Sequence, residues 1–165
     1  LRGPLVTLDQ VMSGNANTEV HALFGQWKDE DRDLDAYVDG VRDWMNDVSN
    51  LGIPRFGETA NRLQRLRERL KTHFKREDEI GGELEELYAG NSVELSAVCR
   101  QAQRDHSSLI ERLDSLIARL DEVDPPFPSW EAAMEQFELF IVALEQHEDH
   151  ELDSIEMLMP RPNKG

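Results

Sequence analysis

The chain has 165 residues, enough for one domain with a single sizeable core. Charged residues make up 32% and hydrophobic ones 39%, with 7 prolines and 10 glycines, a balance that suits amphipathic helices rather than a disordered chain. The net charge of −16 argues against nucleic acid, which needs Lys and Arg to displace condensed counterions, and equally against an anionic membrane surface. The single cysteine, Cys99, excludes an internal disulfide framework and fits a reducing compartment. Its pattern with Val93 and Ala102 reads as a small, semi-buried side chain. The longest apolar run, Phe137 to Leu144, contains Glu138 and is too short to span a bilayer. The opening Leu1-Arg-Gly-Pro lacks a basic-then-apolar signal pattern, so the expected location is cytoplasmic.

Residues 1–18 read as a short N-terminal leader, with a turn expected at Ser13-Gly-Asn-Ala-Asn17. A bundle is expected over 19–159, followed by a tail at 160–165. The first helix carries Leu34, Val38, Val41, Met45 and Val48 at spacings of three and four, and Asn50-Leu-Gly-Ile-Pro54 punctuates its end. The second carries Leu63, Leu66, Leu70 and Phe74 and continues weakly to Leu84 and Leu87. Gly81-Gly82 weakens a helix by about 1 kcal/mol per glycine relative to Ala, so a kink or helix end is allowed there. A third break falls at Tyr88-Ala-Gly-Asn91, where Asn91 and Glu94 have the spacing of a capping box. The third helix carries Leu109, Leu113, Leu116 and Leu120. Asp124-Pro-Pro-Phe-Pro-Ser129 cannot be helical, and Ser129 is placed to cap the fourth helix, which carries Phe137, Phe140, Leu144, Leu152 and Ile155. No segment alternates with period two. Four helices joined by short loops predict an all-α, up-down-up-down antiparallel four-helix bundle.

A repeat carries the chemistry. Leu70-Lys-Thr-His73-Phe-Lys-Arg-Glu77 matches Leu144-Glu-Gln-His147-Glu-Asp-His-Glu151, and both read Leu-x-x-His-x-x-x-Glu with an offset of 147 − 73 = 74. Asp31-Arg-Asp-Leu34 likewise parallels His106-Ser-Ser-Leu109, offset by 106 − 31 = 75. Each half thus offers one candidate ligand on its first helix and a His/Glu pair on its second. Residues four apart share a helix face, so such a His and Glu reach one centre, and the Glu can extend to a second ion. A lone His-x-x-x-Glu on an acidic helix is ordinarily a solvated pair. Here a leucine three residues before each His marks a core-facing stripe, and burying these polar groups unpartnered costs several kcal/mol unless a metal resolves it. The N/O donor mixture suits iron or manganese, and zinc less specifically. The candidate ligands are His73, Glu77, His106, His147, Glu151 and Asp31, for a carboxylate-bridged pair of metal ions, with iron the first expectation and manganese or zinc the alternatives.

These motifs, His73-Phe-x-x-Glu77, Asp105-His106-x-x-Leu109 and His147-x-x-x-Glu151-Leu, resemble those of the hemerythrin-like, or HHE cation-binding, domains over about residues 27–159. The resemblance implies a di-iron centre bridged by Glu77 and Glu151, with His73 serving one iron and His106 and His147 the other. It further implies reversible dioxygen binding, or sensing of oxygen, iron, nitric oxide or redox state. Two departures remove imidazole: Asp31 stands where a first-helix histidine is expected, and Ile110 where oxygen carriers have a second third-helix histidine. A carboxylate-richer set favours oxidation or peroxide chemistry over reversible carriage.

Glu30 is the alternative to Asp31, because helix phase does not separate neighbours. His21 lies about 15 Å along a helix from Asp31 and is expected to be no ligand. His150 reads as solvent-facing, and Trp27, Trp44, Trp130 and Tyr37 as packing. His147-Glu148-Asp-His150 is not His-Glu-x-x-His, which removes the zinc protease reading. The sequence favours a small protein that binds or senses dioxygen or a similar diatomic ligand. The alternatives are a carboxylate-rich di-iron oxidase or peroxidase-type enzyme, and a metal-free helical interaction bundle. Self-association into a homodimer is left open.

Overall fold

The computed structural model describes residues 8–52, 54–87 and 93–159, with side chains from Thr18 onward. It contains four helices: α1 (Leu8–Leu51), α2 (Phe56–Leu87), α3 (Val93–Leu120) and α4 (Trp130–Leu158). Among the described residues there is no strand, and no helix is long and apolar enough to cross a membrane.

One expectation about local structure is corrected. Ser13–Asn17 does not form a turn, because α1 is already helical from Leu8 and runs for 44 residues. The continuation past Gly81-Gly82 stands: α2 runs to Leu87, with no helix end at the glycines. Gly81 instead serves a close approach: a Cβ there would lie 3.2 Å from Cys99 Sγ on α3. The break expected at Tyr88–Asn91 lies outside the described residues. The other two breaks stand where their turn chemistry put them. Gly52 follows α1 with φ of 69°, the left-handed conformation open to a residue without Cβ, and its N–H donates to Ser49 O at 3.1 Å. Ser129 caps α4, its Oγ accepting from Ala132 N at 3.1 Å.

Each helix runs antiparallel to the next, as the register of cross-helix contacts shows. Gln26 meets Arg76 and Glu30 approaches His73 between α1 and α2. Arg67 meets Asp114 and Asp78 meets His106 between α2 and α3. Asp105 meets His147 between α3 and α4. The bundle closes between α1 and α4, where Arg42 bridges Glu138 and Glu145 and Trp130 Nε1 donates to Ser49 Oγ at 2.8 Å. Arg42 is only partly buried, so this ion pair contributes register more than stability.

Apolar packing falls into two clusters separated along the bundle axis. The larger includes Leu34, Leu70, Phe74, Leu109, Leu113 and Leu144, and extends to the aromatic group of Trp44, Phe56, Phe127 and Trp130 near the loop end. The smaller includes Val20, Phe24, Trp27, Ile80, Leu84 and Ile155. Between them lies a layer of buried polar side chains. The tryptophans are packing residues, as expected.

Gly82 lies beside Gly81 in the same helix but meets nothing within 4 Å of a built Cβ. Gly82→Ala should therefore raise unfolding stability by about 0.5–1 kcal/mol in urea titrations. Gly81→Ala should fall short of that gain, because Cys99 must shift, and adding Cys99→Ala should restore it. Equal stabilisation by both single changes would show that the α2–α3 approach is not limited by Cys99.

Candidate metal centre

The polar layer contains all six residues expected from the sequence, and one more. Two groups of four have ligand atoms within 4.8 Å of one another: Asp31, His73, Glu77 and Glu148 in one, and Glu77, His106, His147 and Glu151 in the other. Glu77 belongs to both. It is 1% exposed, with Oε1 2.5 Å from His73 Nε2 and Oε2 3.1 Å from His106 Nε2. Its two oxygens thus face opposite halves of the bundle. In the first half His73 Nε2 also lies 3.4 Å from Asp31 and 3.3 Å from Glu148. In the second, Glu151 Oε2 lies 2.6 Å from His147 Nε2 and 3.4 Å from His106 Nε2. Glu151 belongs to this half alone.

The neighbours left ambiguous by helix phase are now separated. Asp31 joins the inner group, while Glu30 sits behind His73, 3.7 Å from Nδ1. The other two histidines are backed in the same way: His106 Nδ1 lies 3.1 Å from Asp78, and His147 Nδ1 lies 3.3 Å from Asp105. The three imidazoles of the layer therefore point Nε2 inward and Nδ1 at an acid on a neighbouring helix. That arrangement holds the ring and its tautomer for a metal ligand. His21 and His150 are exposed and apart from the layer. Cys99 is half-buried, and burial, with Glu85 beside it, pushes its thiol up to about 12, so it supplies no thiolate.

Glu148 was missed because the repeat was read through the histidines. The signal was present in the core stripe, since Phe137, Ile141, Leu144, Glu148, Glu151 and Ile155 follow one another at four, three, four, three and four along α4. All six are buried. An acid in that stripe must face the core.

The donors fit a metal pair. Seven inward atoms make no directed hydrogen bond: Asp31 Oδ1, His73 Nε2, both Glu77 oxygens, His147 Nε2, Glu148 Oε1 and Glu151 Oε1. They crowd towards shared points at ion-pair distance without aligned hydrogen bonds, and buried polar atoms so placed are rare in a folded protein. An ion about 2.0–2.2 Å from each donor spreads its ligands to roughly 3–4 Å, close to the separations seen here. The four carboxylates and three imidazoles carry four negative charges when the imidazoles are neutral, which two divalent cations balance.

Without cations, protons supply that balance. Burial alone lowers the His73 imidazole, but Asp31, Glu148 and Glu77 outweigh it and raise it to about 12. His106 rises to about 11, with Asp78, Glu151 and Glu77 overcoming its burial. Burial pushes Asp31 up to about 8 and Glu148 to about 7. Glu77 goes the other way: burial opposes it, yet His106 and His73 hold it down at about 2.

The raised groups share one sign. The folded, metal-free chain binds more protons than the unfolded one wherever the pH lies between each group's ordinary and folded values, so its stability falls as pH rises from about 4 through 8. The histidine contributions are complete below about 6.5 and are lost only towards 11–12. Cations must displace these protons, so metal stabilisation grows in the opposite direction. Thermal melts with and without Zn²⁺ should show a metal-induced rise in Tm that is larger at pH 8 than at pH 5.5. Its scale is about 2.7 kcal/mol at a free concentration of a hundred times Kd. A rise independent of pH would mean that cations do not compete for these groups.

The hemerythrin HHE cation binding domain family model matches residues 22–155. No curated protein and no solved structure matches the chain. The matched stretch takes in all seven residues of the polar layer, whose donors suit cations on physical grounds alone. The chain belongs to the hemerythrin HHE cation-binding family.

Proposed function

We propose that this bundle holds two non-haem iron ions and uses them to bind or sense dioxygen or a similar small ligand. The carrying observation is Glu77, buried and shared between two four-residue cages. In this reading Asp31, His73 and Glu148 hold one ion, His106, His147 and Glu151 hold the other, and Glu77 links them. Iron so held supplies reversible redox chemistry and open coordination positions.

The protein's own residues do the rest. Glu30, Asp78 and Asp105 fix the three imidazoles from behind. The two apolar clusters seal the layer above and below. A pocket of about 360 Å³ between α3 and α4, lined by Ala97, Val98 and Ala102 and by polar residues that include Arg104 and Asp105, reaches His147 and Glu151 and gives a small molecule a route in.

One observation favours the second reading, a di-iron oxidase or peroxidase-type enzyme. Asp31 and Glu148 leave His73 as the only imidazole of its half, and carboxylate donors favour the oxidised metal.

Metal analysis of freshly purified chain, with optical spectra before and after oxygen, tests both. About two irons per chain and a reversible oxygen-dependent band support binding or sensing, whereas catalytic turnover of ferrous iron or peroxide supports the enzyme. Stoichiometric zinc, or no metal from an iron-replete preparation, removes the di-iron reading. Asp31→His should strengthen oxygen binding and shift the spectrum; an unchanged spectrum takes Asp31 out of the ligand set.

A further inference from the structure

The duplicated hairpins place equivalent residues in the two halves, and the equivalents are chemically unlike. Asp31 corresponds to His106, His73 to His147 and Glu77 to Glu151. By the same offset of 74, Glu148 on α4 corresponds to Phe74 on α2. Glu148 turns its buried Oε1 towards His73 Nε2 at 3.3 Å, without an aligned hydrogen bond. Phe74 instead stacks on His106 with ring centroids 4.1 Å apart and planes 7° from parallel. One cage therefore has one imidazole and three carboxylates, and the other has two of each.

The surroundings widen the difference. Glu148 forms part of a cleft of about 320 Å³ between α1 and α4, whose other acids are Asp35, Asp39, Glu145 and Asp149. The cleft beside Phe74 and His106 sets Lys71 and Lys75 against Asp78 and Glu79, so it lacks the acidic excess of the first.

We propose that the two cages prefer unlike cations, with Glu148 and Asp31 as the residues that decide. The Asp31, His73, Glu148 cage takes a hard, oxygen-preferring ion of the Mn²⁺ class. The His106, His147, Glu151 cage takes an ion that prefers nitrogen, of the Zn²⁺ or Fe²⁺ class. Carboxylates suit the first class and imidazoles the second. Because Zn²⁺ outbinds Mn²⁺ at most sites of either kind, the preference appears when Zn²⁺ is limiting. The inference rests on the two-ion arrangement proposed above and changes only the ion of the carboxylate-rich half, from iron to one of the Mn²⁺ class.

The test uses the full chain, stripped of metal and given one equivalent each of Mn²⁺ and Zn²⁺ without oxygen. The expected product has one of each ion per chain, with the electron paramagnetic resonance signal of Mn²⁺ isolated from any second Mn²⁺. Glu148→Gln keeps the shape and removes the charge. It should weaken Mn²⁺ retention about tenfold or more, a loss seen even for an outer-shell partner, while one Zn²⁺ per chain is retained. That retained Zn²⁺ also reports that the variant has folded. Coupled Mn²⁺ pairs at the statistical level, or Mn²⁺ affinity unchanged in Glu148→Gln, overturn the inference while leaving a two-ion site intact. Failure to hold either ion overturns the di-metal reading and this inference together.

Discussion

The structure depends on burying four carboxylates and three imidazoles in one layer across a helical bundle. Nothing in that layer is stable by itself. Each carboxylate taken out of water loses hydration that three neutral imidazoles cannot replace, and isolated charges in such a place are tolerated only when paired. Protons offer one solution: without cations the surrounding carboxylates favour protonated His73 and His106, and burial drives Asp31 towards its neutral form. Cations offer another, and they satisfy donors that protons leave crowded without directed hydrogen bonds. The apolar clusters on either side narrow the access of water to the clefts that reach His106, His147, Glu148 and Glu151 from the side.

Glu77 ties this layer to the bundle's architecture. It sits on α2, faces α1 and α4 through one oxygen and α3 through the other, and so couples the packing of all four helices. The helix ends are set far from it by ordinary turn chemistry, at Gly52 and Ser129. Long apolar stripes then carry the register inward, so small errors at the loops do not displace the donors. The positioning acids Glu30, Asp78 and Asp105 complete the arrangement from outside. They are partly exposed, which lets them hold an imidazole without adding another fully buried charge.

The duplication gives two similar half-sites, and substitution within it has made them different. Asp78 backs His106, and its equivalent by the offset of 74 is Leu152, beside the half where Asp31 has no ring to hold. Phe74 and Glu148 differ in the opposite sense, the aromatic ring lying on His106 and the acid in the half of Asp31. One pair changes what stands behind a ligand, and the other changes the number of carboxylates in the cage.

Much of this was legible in the sequence. The all-α bundle followed from apolar spacing, and His73, Glu77, His106, His147, Glu151 and Asp31 followed from a repeat whose His and Glu share a helix face. Those features are local, set by 3.6 residues per turn and by turn chemistry. The tertiary structure decided what local periodicity cannot. It placed Asp31 inside and Glu30 behind His73, although the two are adjacent in sequence. It brought Glu148 to the layer beside His73 and made Glu77 common to both cages. It also kept residues 13–17 and Gly81-Gly82 helical where composition suggested breaks, and Gly81 lies against Cys99 of α3. Which side chains meet across a bundle depends on the rotation and register of whole helices, and only the packing of all four fixes those.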